Sequence, residues 1–252
     1  MNPDSAKWQT WRSVADFAAT ILILVTTGAI AWRSGLIPFG HTVPQEPPVQ
    51  ARVPTVPTRA MQDIAAAGLT TTIDREASRM GDRRAPVVLV EFSDYQCPFC
   101  ARHSRETLKQ IEREFVSTGK VEYVVRNLPL ERHKFALAAA QAVECAGVQG
   151  RFWEMRRVLF ARGGDLADSP WLKPAGALGL DVAAFSNCLD GTMLAKVQGD
   201  VAEASRLGVV ATPTFLVGRK NPDGDVQLLG RIDGAQPIEV FRKGLERTFG
   251  KI

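Results

Sequence analysis

The sequence predicts an α/β fold with a block of helices inserted between its strands, and three observations carry that expectation. Val87–Phe92 and Val121–Arg126 are runs of strand length, and strand signals return at Thr214–Val217 and Val226–Arg231. Between these two pairs, from about Lys134 to Leu207, the chain has helical spacing and no strand signal. Cys97-Pro98-Phe99-Cys100 stands directly behind the first run, where a helix pattern starts.

Val87–Phe92 is apolar except for Glu91, which suits a strand buried on both faces. A helix pattern follows from Cys97 to about Thr118, then the strand Val121–Arg126. The helical block divides into segments 134–147, 150–161, 170–178, 181–189 and 192–207, broken at Gly147, Gly163-Gly164, Gly179 and Gly191. Phe152 and Trp153 share helical spacing with Val148 and Met155 and read as core. His103, two turns into the helix after the cysteine pair, reads as a solvated residue. A last helix is expected over 236–248, and no internal repeat is found.

The region ahead of these elements has a different character. Residues 17–32 carry no charge and make about 24 Å of helix, or about 28 Å when extended back to Val14. Trp8, Trp11 and Trp32 flank the run at interfacial positions. Lys7 and Arg12 precede it and only Arg33 closely follows, which keeps the N-terminus in the cytoplasm and sends the domain across. The favoured reading is a single-pass anchor. A signal cleaved after Ala29-Ile30-Ala31, giving a soluble periplasmic protein, is the alternative, and a buried soluble helix is a third. Residues 36–60 hold six prolines and no hydrophobic period, as in an extended linker. The expected organisation is 1–35 cytoplasmic stub and anchor or signal, 36–69 linker, and 70–252 folded domain with an insertion over about 134–207.

Composition narrows the function. A net charge of +4 with dispersed basic residues argues against nucleic acid as a partner. Four cysteines are too few for a disulfide scaffold in 252 residues. A closed zinc site needs four ligands, usually as two close pairs. Here Cys145 and Cys188 are far apart and His41, His103 and His133 form no pair, so neither metal nor other cofactor is predicted.

The cysteine pair is where the chemistry lies. A three-residue separation across a helix N-terminus brings two sulfurs within bonding reach. The first faces unpaired N–H groups and the positive end of the helix dipole, which favour its thiolate. Cys97 is therefore expected to be the exposed nucleophile and Cys100, one turn deeper, the buried resolving thiol. Pro98 suits the first helical turn because its missing N–H has no partner there to lose. Glu91, six residues before Cys97, has two readings: a surface carboxylate at a strand end, or a partly buried acid that accepts or relays the Cys100 proton.

The stretch from Val87 to Cys100 resembles the active-site strand and helix start of the DsbA-like branch of the thioredoxin superfamily. Glu144-Cys145-Ala146, Gln149-Gly150-Arg151-Phe152-Trp153-Glu154-Met155, Leu178-Gly179-Leu180-Asp181 with Phe185, and Cys188-Leu189 resemble that branch's helical insertion. Ala211-Thr212-Pro213-Thr214-Phe215 resembles its cis-proline strand, and Gly230 with Asp233-Gly234 its ending. The likeness covers about residues 84–248. It implies a thioredoxin-like fold with a helical insertion, a cis Thr212–Pro213 bond beside the cysteines, and a peptide-docking role for that loop. One departure is Phe99, where the strongest oxidants of the branch have histidine. Another is the absence of room in residues 33–69 for the dimerisation domain of its isomerases.

The leading functional expectation is a dithiol oxidase acting on exported proteins that contain cysteines. The resemblance implies reoxidation by a quinone-linked membrane partner. A reductase or isomerase using the same site is the alternative, and a tethered thiol-based metal carrier or chaperone is a reading of another class. Cys145 and Cys188 are expected to form a structural disulfide, given an oxidising compartment, their places near helix ends, and matching cysteines in part of the family. Two independent buried thiols are the alternative.

Overall fold

The computed structural model describes residues 61–74, 77–167, 171–222 and 224–250. The expected anchor, and residues 36–60 of the expected linker, lie outside the described residues. The strands are β1 (Gln62–Asp63), β2 (Thr70–Thr71), β3 (Ser78–Met80), β4 (Val87–Ser93), β5 (Val121–Asn127), β6 (Thr214–Lys220) and β7 (Val226–Asp233). They form one mixed sheet in the order β1-β7-β6-β4-β5-β3, with β2 also on β7.

The central position of β4 explains its sequence. It runs parallel to β5 and antiparallel to β6, and every one of its residues is buried. Side chains alternate between two cores: Val87 and Leu89 enter the larger one, and Val88, Val90 and Phe92 the smaller. Glu91 is in phase with Val87 and Leu89, so the pleat points a carboxylate into the larger core. In β6, Gly218 marks a register shift against β7, where a Cβ would stand 2.6 Å from the Gln227 carbonyl oxygen.

The helix after the cysteine pair is segmented. α1 (Pro98–Glu106) ends at Thr107, α2 (Leu108–Ile111) continues, and a π turn over Glu112–Val116 closes the stretch expected to run to Thr118. Thr107 is buried, and its hydroxyl donates to the Gln236 carbonyl at 3.1 Å, tying the break to the C-terminal segment.

The insertion comprises α3 (Ala136–Val148), α4 (Phe152–Ala161), α5 (Leu172–Ala177), α6 (Val182–Leu189) and α7 (Leu194–Arg206), and α8 (Ile238–Phe249) ends the fold. The buried face of α3 is built largely from alanines 136, 139, 140, 142 and 146, which lets its neighbours approach closely. Asp181 caps α6, accepting from the Ala184 N–H at 3.0 Å. Cys145 of α3 and Cys188 of α6 are joined by a disulfide with Cα atoms 5.8 Å apart.

The sheet also recruits residues just ahead of the expected start near 70. Gln62 pairs with Arg231, and Met61 packs where Gly230 and Gly244 leave no space for a Cβ. The extended linker expected over 36–69 therefore does not describe residues 61–69. Their tie to β7 comes from pairings about 170 residues away, which no local composition signals.

Candidate active site

Cys97 is the N-cap of α1, and Pro98 occupies its first turn. The turn leading into Cys97 is pinned by two side chains that the sequence reading passed over. Asp94, itself buried, accepts from the Gln96 N–H at 2.7 Å, the Leu130 N–H at 2.8 Å and His133 Nδ1 at 2.8 Å. Gln96 accepts from the Phe135 N–H and donates to the Gly164 carbonyl at 3.3 Å. Gly164 has φ +96, and a Cβ there would lie 3.0 Å from the Gln96 carbonyl oxygen, so the close approach requires glycine. The loops near 130 and 164 thus clamp the approach to the cysteines.

The two free cysteines differ in environment. Hydrogen bonding from Cys100 is the largest influence on Cys97. Burial opposes it, while Thr212 and the N–H groups of Cys100 and Phe99 add to it, and the Cys97 thiol falls to about 6. As a thiol, Cys97 donates to the Thr212 carbonyl at 3.3 Å. Toward a thiolate the same residue offers its hydroxyl, which is buried and otherwise without a partner. Cys100 moves the opposite way: burial first, then the neighbouring Cys97 and Glu91, push it well above the ordinary thiol range.

The expectation of an exposed Cys97 does not hold, since it is 2% exposed and Cys100 is fully buried. The segment Thr212–Pro213, whose peptide bond is cis, covers the first sulfur. What the motif shows to solvent is Pro98 and Phe99, the latter 46% exposed with the Arg102 guanidinium 5.3 Å from its ring centre. Val210, just before the covering segment, is 77% exposed and supplies an apolar rim.

Beneath the pair, Glu91 is fully buried and ion-paired, unlike the surface carboxylate of the first reading. Arg156 Nη2 donates to both its oxygens, at 2.9 and 2.7 Å, and the Tyr123 hydroxyl donates to one at 2.5 Å. Burial alone raises the carboxyl, but the charge of Arg156 and these hydrogen bonds outweigh it and hold Glu91 below its usual value. His103 is also fully buried, which corrects its reading as solvated. Its Nε2 lies 3.0 Å from the Tyr123 oxygen, and its ring packs on Phe215 at 4.5 Å. Burial lowers it to about 4, so it is neutral at pH 7. Among the described residues no group of three or more His, Cys, Asp and Glu is arranged to hold a metal ion.

A thioredoxin family model matches residues 74–229. The chain is 38% identical over 161 residues to "Na(+)/H(+) antiporter NhaA 1" of Mycobacterium sp. (strain KMS), a match covering 62% of this chain and 26% of the antiporter. The chain thus spans about a quarter of the length of such curated relatives. Among solved structures, DsbA1 of Wolbachia pipientis superposes with a TM-score of 0.59 at 22% identity, covering 71% of this chain and 94% of that one. A thioredoxin-like oxidoreductase from Silicibacter pomeroyi DSS-3 gives 0.58 at 25% identity, covering 70% and 94%.

Proposed function

The chain belongs to the thioredoxin family, and from that membership we propose that it is a DsbA-like oxidoreductase that oxidises dithiols of exported proteins through Cys97 and Cys100. The observation that carries the direction is the thiolate-favouring site of Cys97. A group that stabilises the reduced enzyme makes its disulfide more readily reduced, and therefore more oxidising toward a substrate.

In the first step a substrate thiolate attacks Cys97 Sγ of the enzyme disulfide. The new bond is a mixed disulfide, and Cys100 leaves with the electron pair and is protonated. The second substrate thiolate then attacks the substrate sulfur, closing the substrate disulfide and releasing Cys97 as a thiolate. The reduced enzyme is reoxidised by a quinone-linked membrane partner. The Val210–Pro213 segment and the Phe99 surface receive the substrate chain. No cofactor takes part.

The site is placed on the extracytoplasmic side of the membrane, tethered through residues 14–32. The uncharged run at 17–32 supports this. Among the described residues no helix is long and apolar enough to cross a membrane. The oxidase reading is tested with a reduced, unfolded two-cysteine protein as substrate. The oxidised enzyme should form its disulfide stoichiometrically, and Cys97→Ser should form none. A protein that only reduces or isomerises disulfides under these conditions refutes the direction.

A further inference from the structure

Glu91 lies at the meeting point of three elements, and its surroundings bear on how protons move during the exchange proposed above, on which this inference rests. From α4, Arg156 reaches it with one nitrogen on both carboxylate oxygens. From β5, Tyr123 gives it a hydroxyl proton. From α1, His103 meets Tyr123, and Cys100 lies close enough to feel the carboxylate charge. Tyr95, which feels the charges of Arg156, Glu144 and Glu91, lies in the same buried region. Because Tyr123 donates to Glu91, its oxygen accepts from His103, which places the His103 proton on Nε2. The chain of donors His103, Tyr123 and Arg156 therefore converges on one anion, and both Glu91 oxygens are already occupied. Oε2 accepts two of these bonds and Oε1 one, so a proton could settle on Glu91 only at Oε1 and against the charge of Arg156 beside it.

Arg156 reaches the acid through Nη2 alone, its Nε and Nη1 being buried without a hydrogen-bond partner, and aromatic rings pack around it. It is 1% exposed, and its guanidinium lies 4.8 Å from the Phe160 ring centre and 5.8 Å from that of Trp153.

We propose that Arg156 is a positioning residue that fixes Glu91 as a permanent carboxylate, so that Glu91 acts on Cys100 as a stationary negative charge and not as the acceptor of its proton. The charge adds to burial and to the neighbouring Cys97 in keeping the proton on Cys100, leaving Cys97 as the sole thiolate of the reduced pair. The balance is complete without Glu91. A substrate dithiol gives up two protons and two electrons. One proton ends on Cys100, the other goes to solvent, the electrons reduce the Cys97–Cys100 bond, and Cys97 emerges as a thiolate. The directions of the two cysteine titrations are those this arrangement requires.

The test is a carbon-13 carboxyl titration of Glu91 in the reduced full-length protein, with the pH profile of Cys97 alkylation by iodoacetamide in the same reduced protein measured alongside. In the wild type the Glu91 signal should stay constant from pH 5 to 9, and the profile should show one inflection, that of Cys97. In Arg156→Met the Glu91 midpoint should rise by about two pH units or more, as burial acts unopposed, and the profile should gain a second inflection. Arg156→Lys should restore the single inflection. A wild-type Glu91 that titrates in step with Cys100 overturns the proposal, and this result needs no variant to fold. So does an Arg156→Met protein that is less stable yet unchanged in both Glu91 titration and pH profile, which is the signature of a merely structural role. The oxidase reading is judged separately, on the oxidised protein: it fails if wild type oxidises a substrate dithiol no faster than Cys97→Ser, whatever Glu91 does.

Discussion

The depressed Cys97 thiol makes the stability of the reduced protein depend on pH in a way the oxidised protein cannot share. The folded value is about 6 against 9.0 for an ordinary thiol. A depressed acid contributes stability that is full above the unfolded value and is lost as pH falls through the folded one. Between pH 5 and pH 8 the reduced form should gain about 2.6 kcal/mol from this group alone, of which about 1.4 kcal/mol is present at pH 7. Cys100 adds almost nothing in that window, because it is raised and both its folded and unfolded forms stay protonated. In a domain of this size the gain corresponds to roughly 5–10 °C in Tm. Guanidinium unfolding of the reduced and oxidised proteins should be compared at each pH. Groups common to both states then cancel in the difference. That difference should shift in favour of the reduced form as pH rises, most steeply above pH 6. A difference that is flat from pH 5 to 8, or that favours the oxidised form as pH rises, refutes the assignment of Cys97 as a stabilised thiolate.

Other outcomes follow from the same geometry. Thr212→Val removes a hydroxyl from Cys97 while keeping the carbonyl contact, and should raise the Cys97 midpoint by about 1–2 pH units, the worth of one hydrogen bond to a charged group, read by thiolate absorbance. Cys145→Ala/Cys188→Ala opens a loop of 43 residues and should cost about 4 kcal/mol on the chain-entropy account, with dithiol exchange rates unchanged in stopped-flow measurements. Asp200→Ala should destabilise by about 3 kcal/mol or more in denaturant titrations, because it strands the buried Arg126 guanidinium and the Asn127 N–H that Asp200 now accepts from at 2.9 Å each.

What could be read from the chain alone was what is local or periodic. The Val87–Phe92 run, the cysteine spacing behind it and the glycine breaks of the insertion each reflect rules spanning a few residues. One misreading and one omission had usable signals. Cys100, His103, Thr107 and Ile111 recur at helical spacing, and all four are buried, so His103 sits on the inner face of its helix. Arg156, not singled out from the sequence, falls within the buried stripe of Phe152, Met155, Leu159 and Phe160. The partnership of Arg156 with Glu91 had no such signal. It joins residues 65 apart through the packing of α4 on the sheet. The same holds for Asp94 and Gln96, whose anchors near 130–135 and at 164 come from loops that only the tertiary fold brings together. The burial of Cys97 was likewise hidden, because its cover arrives from Thr212, 115 positions away.

The central claim is that this cysteine pair drives oxidation, and its equilibrium with glutathione tests that most directly. Mixtures of reduced and oxidised glutathione are brought to equilibrium with the protein at pH 7, and the Cys97 and Cys100 thiols are counted by alkylation and mass. The expected potential lies above about −200 mV, toward the range near −120 mV of a strong dithiol oxidant. A potential near −270 mV, where thioredoxin-type reductants lie, would contradict it.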